Sequence, residues 1–92
     1  MKERNIVLFA LSTCPACKKT RDLLDKNKIE YVLVELDLVD RDSRDKLLGE
    51  VRRFNPRETF PTLVVNKGEK VIVGYDYEAS MSVFGATTDT GK

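Results

Sequence analysis

The sequence predicts an α/β domain with the element order β-α-β-α-β-β-α, in which four strands form one mixed sheet flanked by helices. Short apolar runs alternate with amphipathic segments, a pattern that favours layers of strands and helices. With 92 residues, the chain is long enough for one domain and too short for two. The two cysteines, Cys14 and Cys17, lie where the first apolar run changes into a polar, helix-like pattern. A Cys-x-x-Cys at such a junction is typical of a redox-active pair.

The first strand and helix are predicted from the N-terminal third of the chain. The run from Ile6 to Leu11 is continuously apolar, which suits a central strand covered on both faces. We predict a helix from Pro15 to Lys26, because a proline fits the first helical position, where an N–H has no partner. Asn27 is expected to take the left-handed conformation that ends a helix. The inner face is marked by Ala16, Thr20, Leu23 and Leu24.

A second strand and helix follow. Apolar residues alternate from Tyr31 to Leu38, which predicts a strand. Strand, helix and strand in succession form a βαβ unit, so the first two strands should be parallel. A second helix is predicted over Asp40 to Phe54, and Asn55-Pro56 should end it. Its apolar stripe is formed by Leu47, Leu48, Val51 and Phe54.

The C-terminal part predicts a hairpin and a short helix. Thr62 to Val65 and Lys70 to Val73 are expected to pair through a tight turn with Gly68 at positive φ. Asp76 is a candidate N-cap for a helix over Tyr77 to Phe84. We therefore expect a domain over residues 1–84. Residues 85–92 have almost no apolar content, which predicts a flexible tail.

The two cysteines are predicted to have different roles. Cys14 is expected at the N-cap, where the N–H groups of Ala16 and Cys17 and the helix dipole favour a thiolate. Lys18 adds positive charge in the same turn. Because the thiolate is the attacking species, Cys14 is the candidate nucleophile. Cys17 lies one turn further, roughly 5–6 Å away between Cβ atoms, and is the candidate resolving cysteine.

A Cys-x-x-Cys pair has two other uses in proteins, as a structural disulfide and as a metal site. A structural disulfide closing so short a loop would contribute only about 2 kcal/mol, and a cytosolic protein would not keep it oxidised. A structural zinc site needs four ligands, whereas the sequence has no histidine and no third cysteine. One chain would therefore need carboxylates to complete such a site, although two chains sharing a metal would not.

Composition limits the other function classes. The net charge is +1 and no basic block occurs, so neither nucleic acid nor an anionic membrane is an expected partner. The apolar run at Ile6 to Leu11 is shorter than the apolar region of a signal peptide, which has ~7–15 residues. No run approaches the ~20 apolar residues of a membrane span. We expect a cytoplasmic protein and a monomer.

Three motifs in this order resemble the glutaredoxin family, which has a thioredoxin-like fold. They are Cys14-Pro15-Ala16-Cys17 after the first strand, Thr59-Phe60-Pro61 before the third, and Gly74-Tyr75-Asp76 after the fourth. The resemblance covers about Asn5 to Phe84. It implies a dithiol thiol–disulfide oxidoreductase that reduces protein disulfides or glutathione mixed disulfides. It also implies no bound cofactor, with glutathione as co-substrate.

The resemblance further implies roles for particular residues. Pro61 would follow a cis peptide bond and pack opposite the nucleophile, and the backbone of Phe60 would pair with the substrate cysteine. Arg57 would bind a carboxylate of glutathione. The turn formed by Gly74, Tyr75 and Asp76 would meet its γ-glutamyl end through backbone N–H groups. The supporting residues around the sulfurs would be Thr13, Pro15, Ala16, Lys18 and Pro61.

Some alternatives stay open at the level of sequence. Asp76 is either a ligand contact or only a helix cap. Many family members carry a lysine shortly before the first cysteine, where Leu11-Ser12-Thr13 stand here, and Val73 replaces a glycine of the last turn. Small redoxins reduced by a thioredoxin-reductase-type flavoprotein show similar departures. The resemblance also permits an iron–sulfur carrier, in which Cys14 of two chains and two glutathiones hold the cluster.

Overall fold

The computed structural model describes residues 5–88, with side chains described as far as residue 83. Within that part of the chain the order of elements is the predicted one, β-α-β-α-β-β-α. The elements are β1 (Ile6–Ala10), α1 (Pro15–Lys26), β2 (Val32–Glu35), α2 (Arg41–Phe54), β3 (Thr62–Val65), β4 (Lys70–Val73) and α3 (Tyr77–Thr88). No helix in this part of the chain is both long and apolar enough to cross a membrane.

The four strands form one mixed sheet in the order β2-β1-β3-β4. β1 is parallel to β2 and antiparallel to β3, and β3 and β4 form the predicted hairpin. Phe9 near the end of β1 is opposite Thr62 at the start of β3. This register brings the segment before β3 beside the segment after β1, so residues 59–61 come close to the cysteine pair.

Helices cover both faces of the sheet. On one face, alternate residues of β1 pack with Cys17 and Leu24 of α1, and Ala79 of α3 packs against the same cluster. On the other face, Phe9 and Val64 pack with Val51 of α2. Each aliphatic side chain that is fully buried in this way contributes about 1.5–3 kcal/mol. The predicted layer arrangement is therefore confirmed.

The strands beside the cysteine pair are shorter than predicted. β1 ends at Ala10 rather than Leu11, and β2 covers only Val32–Glu35 of the predicted Tyr31 to Leu38. The chain turns after Glu35, whose carbonyl accepts a hydrogen bond from the N–H of Leu38 (3.1 Å). Alternating apolar residues continued past this turn, which is why the sequence pattern placed the end of the strand too late.

The end of α1 also differs in detail from the prediction. Asn27 has φ −92°, and the left-handed residue is Lys28, with φ 58°. The N–H of Ile29 donates to the carbonyl of Leu24 (2.9 Å), and the N–H of Lys28 donates to that of Asp25 (3.0 Å). These two bonds form a Schellman motif, in which the residue after the C-cap is left-handed.

The turn and the last helix extend the predictions. Asn66, Lys67 and Gly68 all have positive φ, at 52°, 60° and 113°. A Cβ on Gly68 would lie 2.8 Å from a ring carbon of Phe54, so this position needs glycine for space as well as for conformation. α3 continues to Thr88, four residues past the predicted end. Residues 85–88 are therefore helical rather than part of a tail, and residues 89–92 lie outside the described residues.

Candidate active site

Cys14 lies at the N-cap of α1, as predicted. Its backbone is extended, with φ −86° and ψ 120°, and Pro15 occupies the first helical position. The N–H of Cys17 donates to the Sγ of Cys14 at 3.2 Å, and the Cys14 carbonyl accepts from the N–H of Lys18 at 3.0 Å. The sulfur of Cys14 thus replaces the oxygen that usually caps a helix, and it lies at the positive end of the helix dipole.

Cys17 is held in a different environment from Cys14. Both cysteines are free thiols, but Cys14 is half-buried whereas Cys17 is only 1% exposed and belongs to the core. Burial raises the pKa of the Cys17 thiol to about 12, and the interaction with the Cys14 sulfur acts in the same direction. At neutral pH Cys17 is therefore a protonated thiol, and Cys14 is the sulfur that a disulfide can reach.

Four of the five predicted supporting residues lie on the same segment as the cysteine pair. Thr13 and Pro15 are exposed, and Ala16 is half-buried. The Nζ of Lys18 lies 3.8 Å from the carboxylate of Asp22, and both side chains are mostly exposed. An ion pair of this kind in solvent is weak, so Lys18 contributes a diffuse charge rather than a contact with either sulfur.

A cis peptide bond joins Phe60 and Pro61, as expected. Pro61 is fully buried, and its carbonyl accepts a hydrogen bond from the N–H of Gly74 at 2.8 Å. Phe60 is half-buried and, like Cys14, packs against the core cluster that contains Cys17. The structure therefore brings Cys14, Cys17, Phe60 and Pro61 to one end of the sheet.

A buried asparagine organises the segment that leads to Pro61. The Nδ2 of Asn55 donates to the carbonyl and hydroxyl oxygens of Thr59 (both 3.1 Å) and to the hydroxyl of Thr62 (3.0 Å). Thr62 in turn donates to the Thr59 carbonyl (2.7 Å). Asn55 is 3% exposed and Thr62 is 0% exposed. We call Asn55, Thr59 and Thr62 the Asn55 network. The sequence pattern predicted Asn55 only as the end of α2.

A carboxylate holds the segment on the other side of Cys14. The N–H of Ser12 donates to Oδ1 of Asp37 at 2.9 Å, and the Ser12 hydroxyl donates to Oδ2 of the same carboxylate. These two bonds hold the pKa of Asp37 below its ordinary value. We call this pair the Asp37 clamp. The sequence carried a signal for it: the carboxyl ends of two parallel strands meet at one edge, and Ser12 and Asp37 both follow such ends.

The predicted glutathione contacts are only partly brought together. Arg57 is exposed and lines a cleft of about 400 Å³ with Phe54, Pro56 and Val73. Tyr75 is exposed and lines a separate cleft with Lys19, whose Nζ lies 5.9 Å from the centre of the Tyr75 ring. Such a distance allows a cation–π contact.

Two residues of the last turn, Gly74 and Asp76, make hydrogen bonds within the protein. The N–H of Gly74 donates to the carbonyl of Pro61, so this N–H is already used within the protein, and the contact between Gly74 and a ligand stays a prediction. Oδ1 of Asp76 accepts from the N–H of Ala79 at 2.9 Å, and the Asp76 carbonyl accepts from Ser80 at 3.0 Å. Asp76 is therefore the N-cap of α3. Gly74 has φ 81°, a conformation that favours glycine.

Metal ligands do not gather elsewhere in this part of the molecule. Among residues 5–88 no group of three or more cysteine, histidine, aspartate or glutamate side chains is arranged to hold a metal ion.

The fold and the site together define a class of protein. A mixed four-stranded sheet carries a Cys-x-x-Cys at the start of the helix after its central strand. A cis-proline precedes the antiparallel strand beside it. This arrangement is the thioredoxin-like fold with a cysteine pair at its redox position. Within that class the chain belongs to the glutaredoxin family, whose family model, described as Glutaredoxin, matches residues 6–71.

Solved structures agree with this assignment. Methanoredoxin from Methanosarcina acetivorans is 37% identical, with a TM-score of 0.84 over 88% of this chain and 84% of that chain. A glutaredoxin from Methanosarcina mazei Go1 is 36% identical, with a TM-score of 0.81 over 88% and 78% of the two chains. The resemblance predicted from the three motifs is confirmed at the level of family and fold.

Curated relatives match a shorter part of the sequence. Glutaredoxin 1 from Rickettsia bellii (strain RML369-C) is 33% identical over 64 residues, and glutaredoxin 1 from Rickettsia prowazekii (strain Madrid E) is 25% identical over 61 residues. Each match takes in 66% of this chain and 61% of the relative. The chain therefore spans less than two thirds of the length of these relatives.

Proposed function

We propose that the protein is a thiol–disulfide oxidoreductase that reduces protein disulfides or glutathione mixed disulfides through Cys14 and Cys17. The observation that carries this proposal is the asymmetry of the two sulfurs. Cys14 accepts a backbone N–H at a helix N-terminus and is half-buried, whereas Cys17 is fully buried with a raised pKa. One sulfur is thus prepared to attack and the other is kept in reserve.

In the first step the Cys14 thiolate attacks one sulfur of a substrate disulfide. A bond forms between Cys14 and that sulfur, the substrate S–S bond breaks, and the leaving thiolate takes up a proton. Cys17 then loses its proton and attacks the Cys14 sulfur, which forms the Cys14–Cys17 disulfide and releases the second substrate thiol. The substrate gains two electrons and two protons. Two molecules of glutathione then give two electrons and two protons to the Cys14–Cys17 disulfide and leave as glutathione disulfide.

The raised pKa of Cys17 sets the order of these steps. A protonated Cys17 competes poorly for an incoming disulfide, so the first attack belongs to Cys14. Burial, the largest cause of the raised pKa, persists when Cys14 is bound to the substrate, so the deprotonation of Cys17 slows the second step. The protein therefore favours a mixed disulfide with an appreciable lifetime, from which glutathione or Cys17 removes the substrate.

The surface around Cys14 supports a peptide-like substrate. We propose that the backbone of Phe60, before Pro61, pairs with the backbone of the substrate cysteine as an added strand would. On one side Arg57 and its cleft would receive a carboxylate. On the other side the turn carrying Tyr75 lies at the start of α3, where remaining N–H groups favour an anion. Glutathione, with a carboxylate at each end, fits this chemistry, and no bound cofactor is required.

The test is the reduction of a glutathione mixed disulfide with glutathione, glutathione reductase and NADPH supplied. We expect turnover that disappears in Cys14→Ser. It should persist in Cys17→Ser, because a second glutathione can attack the mixed disulfide at Cys14. Full activity in Cys14→Ser would overturn the mechanism. Turnover only with thioredoxin reductase and NADPH would keep the dithiol mechanism and overturn glutathione as the electron donor.

A further inference from the structure

We propose that Asp37 is a positioning residue of the cysteine site, which acts on Cys14 by holding Ser12. The proposal rests on the proposed function only in taking Cys14 as the attacking sulfur. Asp37 is 25 residues from Ser12 in the sequence and grips it through both carboxylate oxygens. One oxygen accepts the backbone N–H and the other accepts the hydroxyl, so the position and the orientation of Ser12 are both fixed.

The backbone on either side of Asp37 is held by three hydrogen bonds. The N–H of buried Leu36 donates to Ala10 of β1 at 3.0 Å. The guanidinium of Arg44 on α2 donates to the carbonyls of Leu36 (2.8 Å) and Val39 (3.1 Å), on either side of Asp37. Because the backbone on both sides of Asp37 is hydrogen-bonded, the Asp37 carboxylate can hold Ser12 in one position. A carboxylate on an unsupported loop would move with that loop.

The path from Ser12 to the sulfur is short. Thr13 alone separates Ser12 from Cys14, and the N–H of Cys14 donates to the carbonyl of Leu11 at 3.2 Å, which closes a turn around Ser12. Loss of the Asp37 clamp would let this turn rotate and would change the angle at which the Cys14 sulfur meets the N–H of Cys17. That 3.2 Å bond places a backbone N–H directly against the attacking sulfur.

Four variants separate the bonds of the clamp from the charge of Asp37. Asp37→Ala removes both, and Ser12→Ala removes one bond and keeps the charge. Asp37→Asn removes the charge but can still accept from the Ser12 N–H and donate to its hydroxyl oxygen. Asp45→Ala removes an exposed carboxylate of α2 and is the matched control.

The measurement is the rate at which iodoacetamide alkylates Cys14 in the reduced full chain at pH 7, with mass spectrometry to count modified sulfurs. We expect Asp37→Ala to slow this rate about fivefold to tenfold, the effect of losing one ordinary hydrogen bond. Ser12→Ala should slow it less. The double variant with Ser12→Ala and Asp37→Ala should react at the same rate as Asp37→Ala alone, because both changes act on the contact between the same two residues. Asp37→Asn should recover at least half of the rate.

The count of modified sulfurs distinguishes positioning from loss of structure. A destabilised protein would open its core and expose Cys17, so two sulfurs would be alkylated and the total rate would rise. Positioning predicts a slower reaction at Cys14 with Cys17 still protected. Wild-type rates in Asp37→Ala, additive losses in the double variant, or modification of Cys17 would each overturn the proposal. No disulfide substrate is used, so failure here is distinct from failure of the proposed function.

Discussion

Two segments flank Cys14, and they are held by opposite kinds of chemistry. The segment before Cys14 is gripped by the Asp37 clamp, a charged contact in solvent. The segment before Pro61 is built around the Asn55 network, a set of neutral hydrogen bonds that centre on two buried side chains, Asn55 and Thr62. The comparison indicates that the position of Cys14 and the stability of the fold depend on two different contacts near the same reactive sulfur.

The difference follows from what replaces each contact when it is lost. Water can bond to Ser12 and Asp37 if the clamp opens, so an opened clamp leaves no buried group unsatisfied. Asn55 and Thr62 are almost completely buried, and water does not reach them. An unsatisfied buried polar group costs about 1–3 kcal/mol. The Asn55 network should therefore govern folding, and the Asp37 clamp should govern reactivity.

The largest effect on stability is expected for Asn55→Ala. The change removes the donor for three acceptors, which are the carbonyl and hydroxyl oxygens of Thr59 and the buried hydroxyl of Thr62. We expect the free energy of unfolding to fall by about 2–4 kcal/mol, measured by urea denaturation. Asn27→Ala is the matched control, because Asn27 donates one side-chain bond to a helix carbonyl. Equal losses for the two variants would show that the Asn55 network has no special weight.

A smaller loss is expected for Thr62→Val. The substitution keeps the shape of the side chain but removes a hydroxyl that donates to Thr59 and accepts from Asn55. We expect a loss of about 1–2 kcal/mol by the same measurement. Thr20→Val removes a buried hydroxyl with one bond, to the Ala16 carbonyl, and should cost less. A larger loss in Thr20→Val would contradict the comparison.

The pH dependence of stability should separate the two segments. The pKa of Asp37 is lowered from 3.8 by the two bonds from Ser12. A group whose pKa is depressed by folding stabilises the protein above its unfolded pKa, and that stabilisation is lost as pH falls through the folded value. The difference in stability between wild type and Asp37→Asn should therefore shrink as the pH is lowered from about 5 to about 3.

The deficit of Asn55→Ala should stay constant over the same range, because no member of the Asn55 network titrates. Urea denaturation at several pH values checks both expectations, with Asp45→Asn as a control for the change in net charge. A difference between wild type and Asp37→Asn that ignores pH would show that the Asp37 clamp does not depend on the charge of the carboxylate.

Local patterns predicted much of this architecture and one half of the site. The apolar runs and the hairpin turn gave the order of elements, and Cys14-Pro15 placed the N-cap, because these features depend on residues near in sequence. The Asp37 clamp and the Asn55 network were not predicted, for two different reasons. Ser12 meets Asp37 25 residues away, and Asn55 precedes a proline that explains its position equally well as a helix end.

The smallest effect is expected on the pKa of the buried thiol, Cys17. The charge of Asp37 helps to raise the pKa of Cys17, after burial and the Cys14 contact. Asp37→Asn should therefore lower the pKa of Cys17 only slightly, since an exposed charge is screened by solvent. The titration of the Cys17 Cβ carbon, followed by NMR, measures this change. Ser12→Ala keeps the charge and should leave the titration within error of wild type.

A shift of equal size in both variants would mean that loop position, rather than charge, acts on Cys17. The Asp37 clamp would then resemble the Asn55 network in supporting structure alone. A shift confined to Asp37→Asn would assign the charge of Asp37 to the second sulfur and its bonds to the first. One exposed carboxylate would then influence both steps of the exchange, because the attack depends on where Cys14 is held and the resolution depends on how readily Cys17 gives up its proton.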